Sequence, residues 1–216
     1  MTRQPFKVAR GLGLGGAIAL TGCLVSAFCG NYALAEITPD GTLGAERSVV
    51  SPNVNINDAI ADRIDGGAIR GANLFHSFTQ FNVGDRQRVY FANPVGIENI
   101  LTRVTGTNAS IILGTLGVTG GNANLFLINP NGIVFGPNAR LSLNGSFVAT
   151  TANAIQFGDR GFFSASAPES PSLLNVKPSA FFFNQIATQP ITNQARLQVP
   201  QSQSLLLVGG DVTLDG

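Results

Sequence analysis

The sequence predicts an all-β fold and, within that class, a parallel β-helix. Three observations point there. Beyond residue 50, short apolar runs alternate with turns rich in Gly, Asn, Pro and Asp. No stretch beyond residue 35 holds a convincing helical period. Residues 36–216 contain 18 Asn and 20 Gly, and these decide among sandwich, barrel and β-helix. Asn tolerates the left-handed backbone region and hydrogen-bonds neighbouring backbone groups. A parallel β-helix needs such residues at the corners between its short strands. Asn at equivalent corners can stack and satisfy buried amides between coils.

The elements follow in order. Residues 36–50 read as a polar lead-in with a turn at Pro39-Asp40-Gly41. At Asn57 or Asp58 the sequence allows one capped helical turn reaching Ile64. The clearest strands are Val89-Tyr90-Phe91, Ile111-Ile112-Leu113, Leu125-Phe126-Leu127-Ile128, Ile133-Val134-Phe135, Phe147-Val148-Ala149 and Leu205-Leu206-Leu207-Val208. They are β-branched or aromatic and bounded by breakers, which is strand chemistry. Residues 124–157 show the repeat best: strand, Asn129-Pro130-Asn131-Gly132, strand, Gly136-Pro137-Asn138, strand, Asn144-Gly145, strand. That spacing predicts coils of roughly twenty residues. Alternation at Ala139, Leu141 and Leu143 turns one face inward. Residues 158–200 are less regular, and Phe181-Phe182-Phe183 reads as a strand or covering segment. At 205–216 a coil begins and the chain stops without a polar cap. Solenoid ends need capping, so the expectation is the front of a longer protein, or a truncated one. Extra-helical β-hairpins or capping strands are expected around the helix.

The N-terminus is a leader. Arg3, Lys7 and Arg10 precede an uncharged apolar stretch over 11–30, and Ala33-Leu34-Ala35 precedes Glu36. A basic start, an apolar middle and an A-x-A site make a secretory signal peptide over 1–35, with cleavage after Ala35 and Ala33 and Ala35 as the peptidase contacts. A retained membrane anchor is the alternative, disfavoured by the six glycines in the stretch. Leu20-Thr21-Gly22-Cys23 also resembles a lipobox, which would lipidate Cys23. Residues 36–216 then form one domain with ten basic and twelve acidic residues. Both cysteines, Cys23 and Cys29, leave with the leader. A cysteine-free chain suits a protein that crosses a second membrane unfolded; it equally suits a well-packed domain that needs no crosslink.

Composition excludes some functions. Charged residues are 12% of the chain, about half the usual share. There is no basic face for nucleic acid. His76 is the one histidine, so a His-based metal site has no partners, and an amphipathic strand position explains it better. Asp58, Asp62 and Asp65 could pair for glycoside chemistry. With Arg63 and Arg70 nearby they read more simply as a solvated, charge-balanced face. The phenylalanines, among them Phe91, Phe126, Phe135, Phe147 and Phe157, read as stacked core. No catalytic residue and no cofactor are expected.

Several motifs, in order, carry a family resemblance. Gly71-Ala72-Asn73-Leu74-Phe75-His76-Ser77-Phe78, followed by Phe81-Asn82-Val83, resembles the signature of the haemagglutination-activity domain of filamentous haemagglutinin-like proteins. Asn129-Pro130-Asn131-Gly132-Ile133 matches that family's NPNGI motif in full. The family's NPNL-like turn is expected near Thr107-Asn108-Ala109-Ser110, where Ala109 stands in place of the usual proline. The resemblance spans about residues 37–216. It implies two-partner secretion: a right-handed β-helix, export through a dedicated outer-membrane β-barrel transporter with periplasmic docking domains, and folding at the surface. It also implies a secreted or surface-associated adhesin that meets a host or neighbouring cell surface or the extracellular matrix. A corner at Asn129–Ile133 follows from turn chemistry alone, since Pro130 fixes φ and Gly132 accepts a positive φ; the same residues could also be what the transporter reads. A β-helical polysaccharide-active enzyme and a lipid-anchored surface protein are the competing readings.

Overall fold

The computed structural model describes residues 36–184 and 189–216. The leader read over 1–35, with Ala33, Ala35 and Cys23, lies outside the described residues. From residue 36 the regular structure is almost entirely strands, most of them short, joined by turns and loops. The lead-in forms β1 (Ile37–Pro39) and a single 3-10 turn (Gly44–Glu46). A long hairpin follows, β2 (Ser48–Ile56) and β3 (Ala59–Gly66), then the short β4 (Ala68–Arg70). The coils begin with β5 (Asn73–Phe81) and β6 (Arg88–Ala92). One full turn is β7 (Asn99–Val104), β8 (Ser110–Ile112) and β9 (Thr115–Thr119); the next is β10 (Asn124–Ile128), β11 (Ile133–Phe135) and β12 (Arg140–Ser142). After β13 (Phe147–Thr150) the chain leaves the stack to make β14 (Ala154–Gln156), β15 (Phe162–Ser164) and β16 (Ala180–Phe182). It returns as β17 (Ile191–Asn193), β18 (Leu205–Val208) and β19 (Val212–Leu214).

Three parallel sheets run along the stack. The first is β5-β7-β10-β13-β18, the second β3-β6-β9-β12, and the third β8-β11-β17-β19. Each coil sits in register on the last: Asn73 pairs with Asn99 and Asn99 with Asn124. The architecture is therefore the parallel β-solenoid that the Asn-rich corners predict. The repeat is longer than twenty residues. Equivalent asparagines lie 26 and 25 residues apart, because the third side of each coil carries its own turn. Ile111-Ile112, 125–128, 133–135, 147–149 and 205–208 all fall in strands as expected.

The front of the stack is closed by antiparallel pairing. β4 and β1 both bond the free edge of β5, and β2 bonds the free edge of β3. The predicted helical turn at Asn57 is here a hairpin turn. Asn57 and Asp58 take φ of 51° and 59°, the two positive values that a type I′ turn requires. A helix cap and this turn favour the same residue types, so sequence alone did not separate them. The outer edge of β2 is itself spoiled for pairing by Pro52 and by a register shift between Ser51 and Val54, with Asn53 at φ 58°. Such features keep an edge strand from recruiting another chain.

Among the described residues two large hydrophobic clusters hold the molecule, with a small third formed by Ile56, Ala61 and Tyr90. The first fills the coil interior with Leu74, Phe78, Phe91, Ile100, Leu125, Phe135 and Phe147 among others. Ala139 and Leu143 are buried there and Leu141 packs against it, as alternation predicts. The second lies outside the coil, against the outer face of the first sheet. There Phe75, Leu101 and Ile128 meet Phe157, Phe163 and Leu174 from the excursion. Phe157 and the half-buried Phe126, read from sequence as stacked core, belong to this external layer and not to the coil interior. The excursion, residues 153–184, is a strap. Its sheet, β15-β14-β16, covers one face of the solenoid. The first sheet is consequently buried on both faces, so β5 is buried along most of its length rather than on alternate residues.

Candidate functional site

The NPNGI motif is the corner between β10 and β11. Asn129 stands at the head of a turn closed by Gly132 N–H donating to Asn129 O at 3.2 Å. Asn first, Pro second and Gly fourth is the type I preference. The positive φ falls on Gly132, at 110°, and not on Asn131, which excludes type II. Asn129 is fully buried and its amide is used completely. Its Nδ2 donates to Asn108 O and to Ser110 Oγ, both at 3.0 Å, while its Oδ1 accepts from Asn131 N–H at 2.9 Å. Asn131 Nδ2 reaches Gly106 O at 2.7 Å. Ser110 N–H donates to Gly132 O at 3.0 Å, and Ile133 N–H to Pro190 O at 3.2 Å.

Two motifs that are apart in sequence are therefore stacked. The weak turn at Asn108 and Ser110 lies one coil beneath Asn129–Ile133, and Asn129 is what joins them. Ala109 is tolerated because the contacts there come from the Asn108 carbonyl and the Ser110 hydroxyl. A Cβ built on Gly132 would meet Pro190 O at 3.3 Å and Ala109 Cβ at 3.5 Å, so the requirement for glycine is first conformational, with a close backbone approach added to it.

The signature strand 73–78 is β5, the first coil strand, and its residues divide by face. Asn73, Phe75 and Ser77 point outward; Leu74, His76 and Phe78 point inward. Asn73 begins a ladder: Asn99 Nδ2 donates to Asn73 Oδ1 at 3.0 Å, and Asn124 Nδ2 to Asn99 Oδ1 at 3.0 Å. Ser146 N–H closes the far end on Asn124 Oδ1 at 3.0 Å. Asn73 Nδ2 closes the near end on Leu174 O and Val176 O of the strap. This is the stacked-asparagine device that the composition suggests, with its front rung inside the signature.

His76 is completely buried, between Phe78 and Phe91, with ring centroids 6.3 and 5.1 Å away. Its Nδ1 lies 3.0 Å from Ser48 Oγ, and its Nε2 has no partner. Desolvation pushes its pKa down to about 3, so it is neutral at ordinary pH. A Cβ on Gly67 would meet His76 Cε1 at 2.9 Å, so Gly67 makes room for the ring. His76 is a packing residue that locks the hairpin to the first coil.

Sequence reasoning missed Arg103. It sits on the outer face of β7, yet is fully buried. Its Nε donates to Ser77 Oγ at 2.9 Å and its Nη2 to Thr42 Oγ1 at 2.7 Å. Its Nη1 donates to Ser164 O at 2.9 Å and Glu169 O at 3.1 Å. The guanidinium lies 4.5 Å over the Phe163 ring. Burial lowers its pKa to about 10, and Asp40 acts against that. Asp40 accepts from Thr42, Ser77 and Thr105. Burial raises the Asp40 pKa as the largest single influence, but the hydrogen bonds together outweigh it and leave the pKa below its ordinary value. An isolated Arg in a strand gives no sequence signal of this kind.

The carboxylates Asp58, Asp62 and Asp65 do not converge. Asp58 is in the hairpin turn, and Asp62 and Asp65 fall on opposite faces of β3. Asp62 accepts from Asn53 N–H and Gln87 Nε2, while Asp65 pairs with Arg63 at 2.8 Å. Arg70 is committed elsewhere, to Glu46 at 2.7 Å. Among the described residues no group of three or more His, Cys, Asp and Glu could hold a metal ion.

A parallel β-solenoid, capped in front and strapped on one face, with its two asparagine corners stacked, defines the class of module. Residues 35–216 match the family model described as TPS secretion domain, and the chain belongs to that family. It is an exoprotein of a two-partner secretion system, exported across the outer membrane, with an outer-membrane transporter as counterpart. Over 81 residues it is also 35% identical to the heme/hemopexin-binding protein of Haemophilus influenzae. That stretch is 38% of this chain and 8% of the relative, so the chain spans a small part of that protein's length.

Proposed function

We propose that residues 36–216 direct export of a surface adhesin and start its folding, and that residues 1–35 are a signal peptide removed after Ala35. The domain is read by the periplasmic docking domains of its transporter, threads outward unfolded, and folds at the surface. The observation that carries this reading is the polarity of the stack. Antiparallel strands close its front, and every later coil seats in parallel register on the one before. Each coil that emerges thus finds a formed template, and neighbour-to-neighbour stacking lets folding proceed without the rest of the chain. Asn129–Ile133, with Asn108 and Ser110 beneath, is the corner that fixes two successive coils. In this reading it serves export by setting coil register.

The role is binding and not catalysis; the dispersed carboxylates of β3 support that. The adhesion target is a host or neighbouring cell surface or matrix. What the relative's name says it binds belongs to a protein of which this stretch is 8%. The experiment is expression of residues 1–216 with and without the cognate transporter, followed by assay of the medium. A fragment beginning at Glu36 that reaches the medium only with the transporter is the expected result. Retention in the periplasm despite the transporter refutes the export role for this chain.

A further inference from the structure

We infer that docking of the lead-in, residues 36–47, and closure of the strap, residues 153–184, are one coupled event, with Arg103 as the lock they share. The two segments share the outer apolar cluster, where Leu43 of the lead-in lies with Phe157, Phe163 and Leu174 of the strap, and Arg103 is the polar group that bonds both. Its Nη2 bonds the lead-in at Thr42, and its Nη1 bonds the strap at Ser164 O and Glu169 O. Phe163 of the strap covers the guanidinium face at 4.5 Å. The nearest balancing charge is Asp40 of the lead-in, tied to Arg103 through Ser77 and Thr42.

The coupling follows from where the charge ends up. With the strap closed and the lead-in absent, Arg103 would be buried under Phe163 without a counterion, which is strongly unfavourable. With the lead-in docked and the strap open, the same charge network lies in water and gains little. Each segment therefore makes the other's closure favourable, and linkage requires the effect to be reciprocal. While residues 36–47 are held elsewhere, the strap stays open. The outer face of the first sheet, with Phe75, Leu101 and Ile128, then stays uncovered. When the lead-in is released, the domain locks.

The test is amide hydrogen exchange on the full chain, with no export partner present, so a failed secretion assay leaves it intact. The strap reporters are Ala165, bonded to Asn153 O, and Ser179, bonded to Gln156 O. The coil reporter is Asn129, bonded to Thr150 O, and the lead-in reporter is Asp40, bonded to Ser77 O. Asp40→Asn is nearly isosteric. It is expected to speed exchange at both strap reporters at least about tenfold while leaving Asn129 unchanged. From the other side, Phe163→Leu is expected to speed exchange at Asp40 while the coil stays protected. In an Arg103→Met background, where no buried charge needs balancing, the Asp40→Asn effect on the strap should fall below about twofold. Unchanged strap exchange in Asp40→Asn, or unchanged Asp40 exchange in Phe163→Leu, overturns the coupling. So does loosening of Asn129 in step with the strap, because then the strap is no separate unit. An undiminished Asp40→Asn effect in the Arg103→Met background removes Arg103 as the lock.

Discussion

Asn129 offers the sharpest test of the corner, because alanine and aspartate should fail for different reasons. Asn129→Ala removes two donated bonds, to Asn108 O and Ser110 Oγ, and two accepted bonds, from Asn131 N–H and, longer at 3.3 Å, from Asn131 Nδ2, which keeps its bond to Gly106 O. At about 1 kcal/mol net for each of the three shorter bonds, the loss is about 3 kcal/mol. Asn129→Asp keeps the bond from Asn131 but turns the Nδ2 position into a carboxylate oxygen. That oxygen would face the Asn108 carbonyl, an acceptor 3.0 Å away, from a fully buried position. An unpaired buried charge costs more than a missing bond, so the loss should be about 4 kcal/mol or greater. The sign of the pH dependence separates the two further. The buried aspartate would have its pKa raised in the folded state, so stability should recover as pH falls from 7 toward 5, when the protonated carboxyl donates one bond again. Urea unfolding followed by far-ultraviolet circular dichroism gives both numbers. Equal losses for the two variants, or no recovery of the aspartate variant on acidification, would refute the claim that Asn129 acts as a buried donor between coils.

Four further outcomes follow from the geometry. His76 has a pKa near 3 when folded, below the ordinary 6.5, so the folded state binds fewer protons; stability should be full above pH 6.5 and fall as pH drops toward 3. His76→Leu should flatten that loss between pH 7 and 5 in urea titrations. Gly132→Ala places a side chain at φ 110° with Pro190 O only 3.3 Å from its Cβ and should cost about 1–3 kcal/mol, mainly as backbone strain, read as a lower midpoint with unchanged urea dependence. Asp58→Gly should instead stabilise by about 0.5–1 kcal/mol, since Asn-Gly is the preferred type I′ pair. Asn99→Leu cuts the ladder at its middle rung and leaves Asn73 Oδ1 and Asn124 Nδ2 unpaired; a loss of about 2–4 kcal/mol is expected in the same titration.

Much of the fold was legible because its signals are local. Turn residues bracket each short strand, and the abundance of Asn announces stacked amides, although not that Asn73, Asn99 and Asn124 are the rungs. Asn129–Ile133 declares its own corner. What escaped is what depends on distant partners. Asn57-Asp58 fits a cap and a type I′ turn equally, and only the pairing of β2 with β3 decides. Phe157 looks like any core phenylalanine until the strap is seen to lie outside the coil. Arg103 is the clearest case. Its role needs residues 42, 77, 164 and 169 gathered around it, and no spacing in the chain forecasts that meeting.

The contrast between the two flanks of the stack gives the fold its direction. Three parallel sheets would grow from either side if both were open, since backbone groups on a free strand edge invite pairing. On the front side the free edges of β5 and β3 are taken by β1, β4 and β2, all antiparallel. The outermost of these, β2, carries Pro52 and the displaced register that make it a poor partner. On the other flank β18 rests on β13 and β19 on β17 in plain parallel register. The front edge of the third sheet, β8, is met by the single parallel bridge of Val83 with Ile112, so templates are offered chiefly on one side. A chain arriving N-terminus first can build in one direction, and a second copy finds no clean edge at the front. Restoring regular pairing geometry to β2, by replacing Pro52 and removing one residue of the bulge, should leave the monomer's core intact while exposing a clean edge. Self-association on size-exclusion chromatography is the expected result. A variant that stays monomeric would show that burial of the front by the hairpin, and not the irregular edge of β2, is what keeps copies apart.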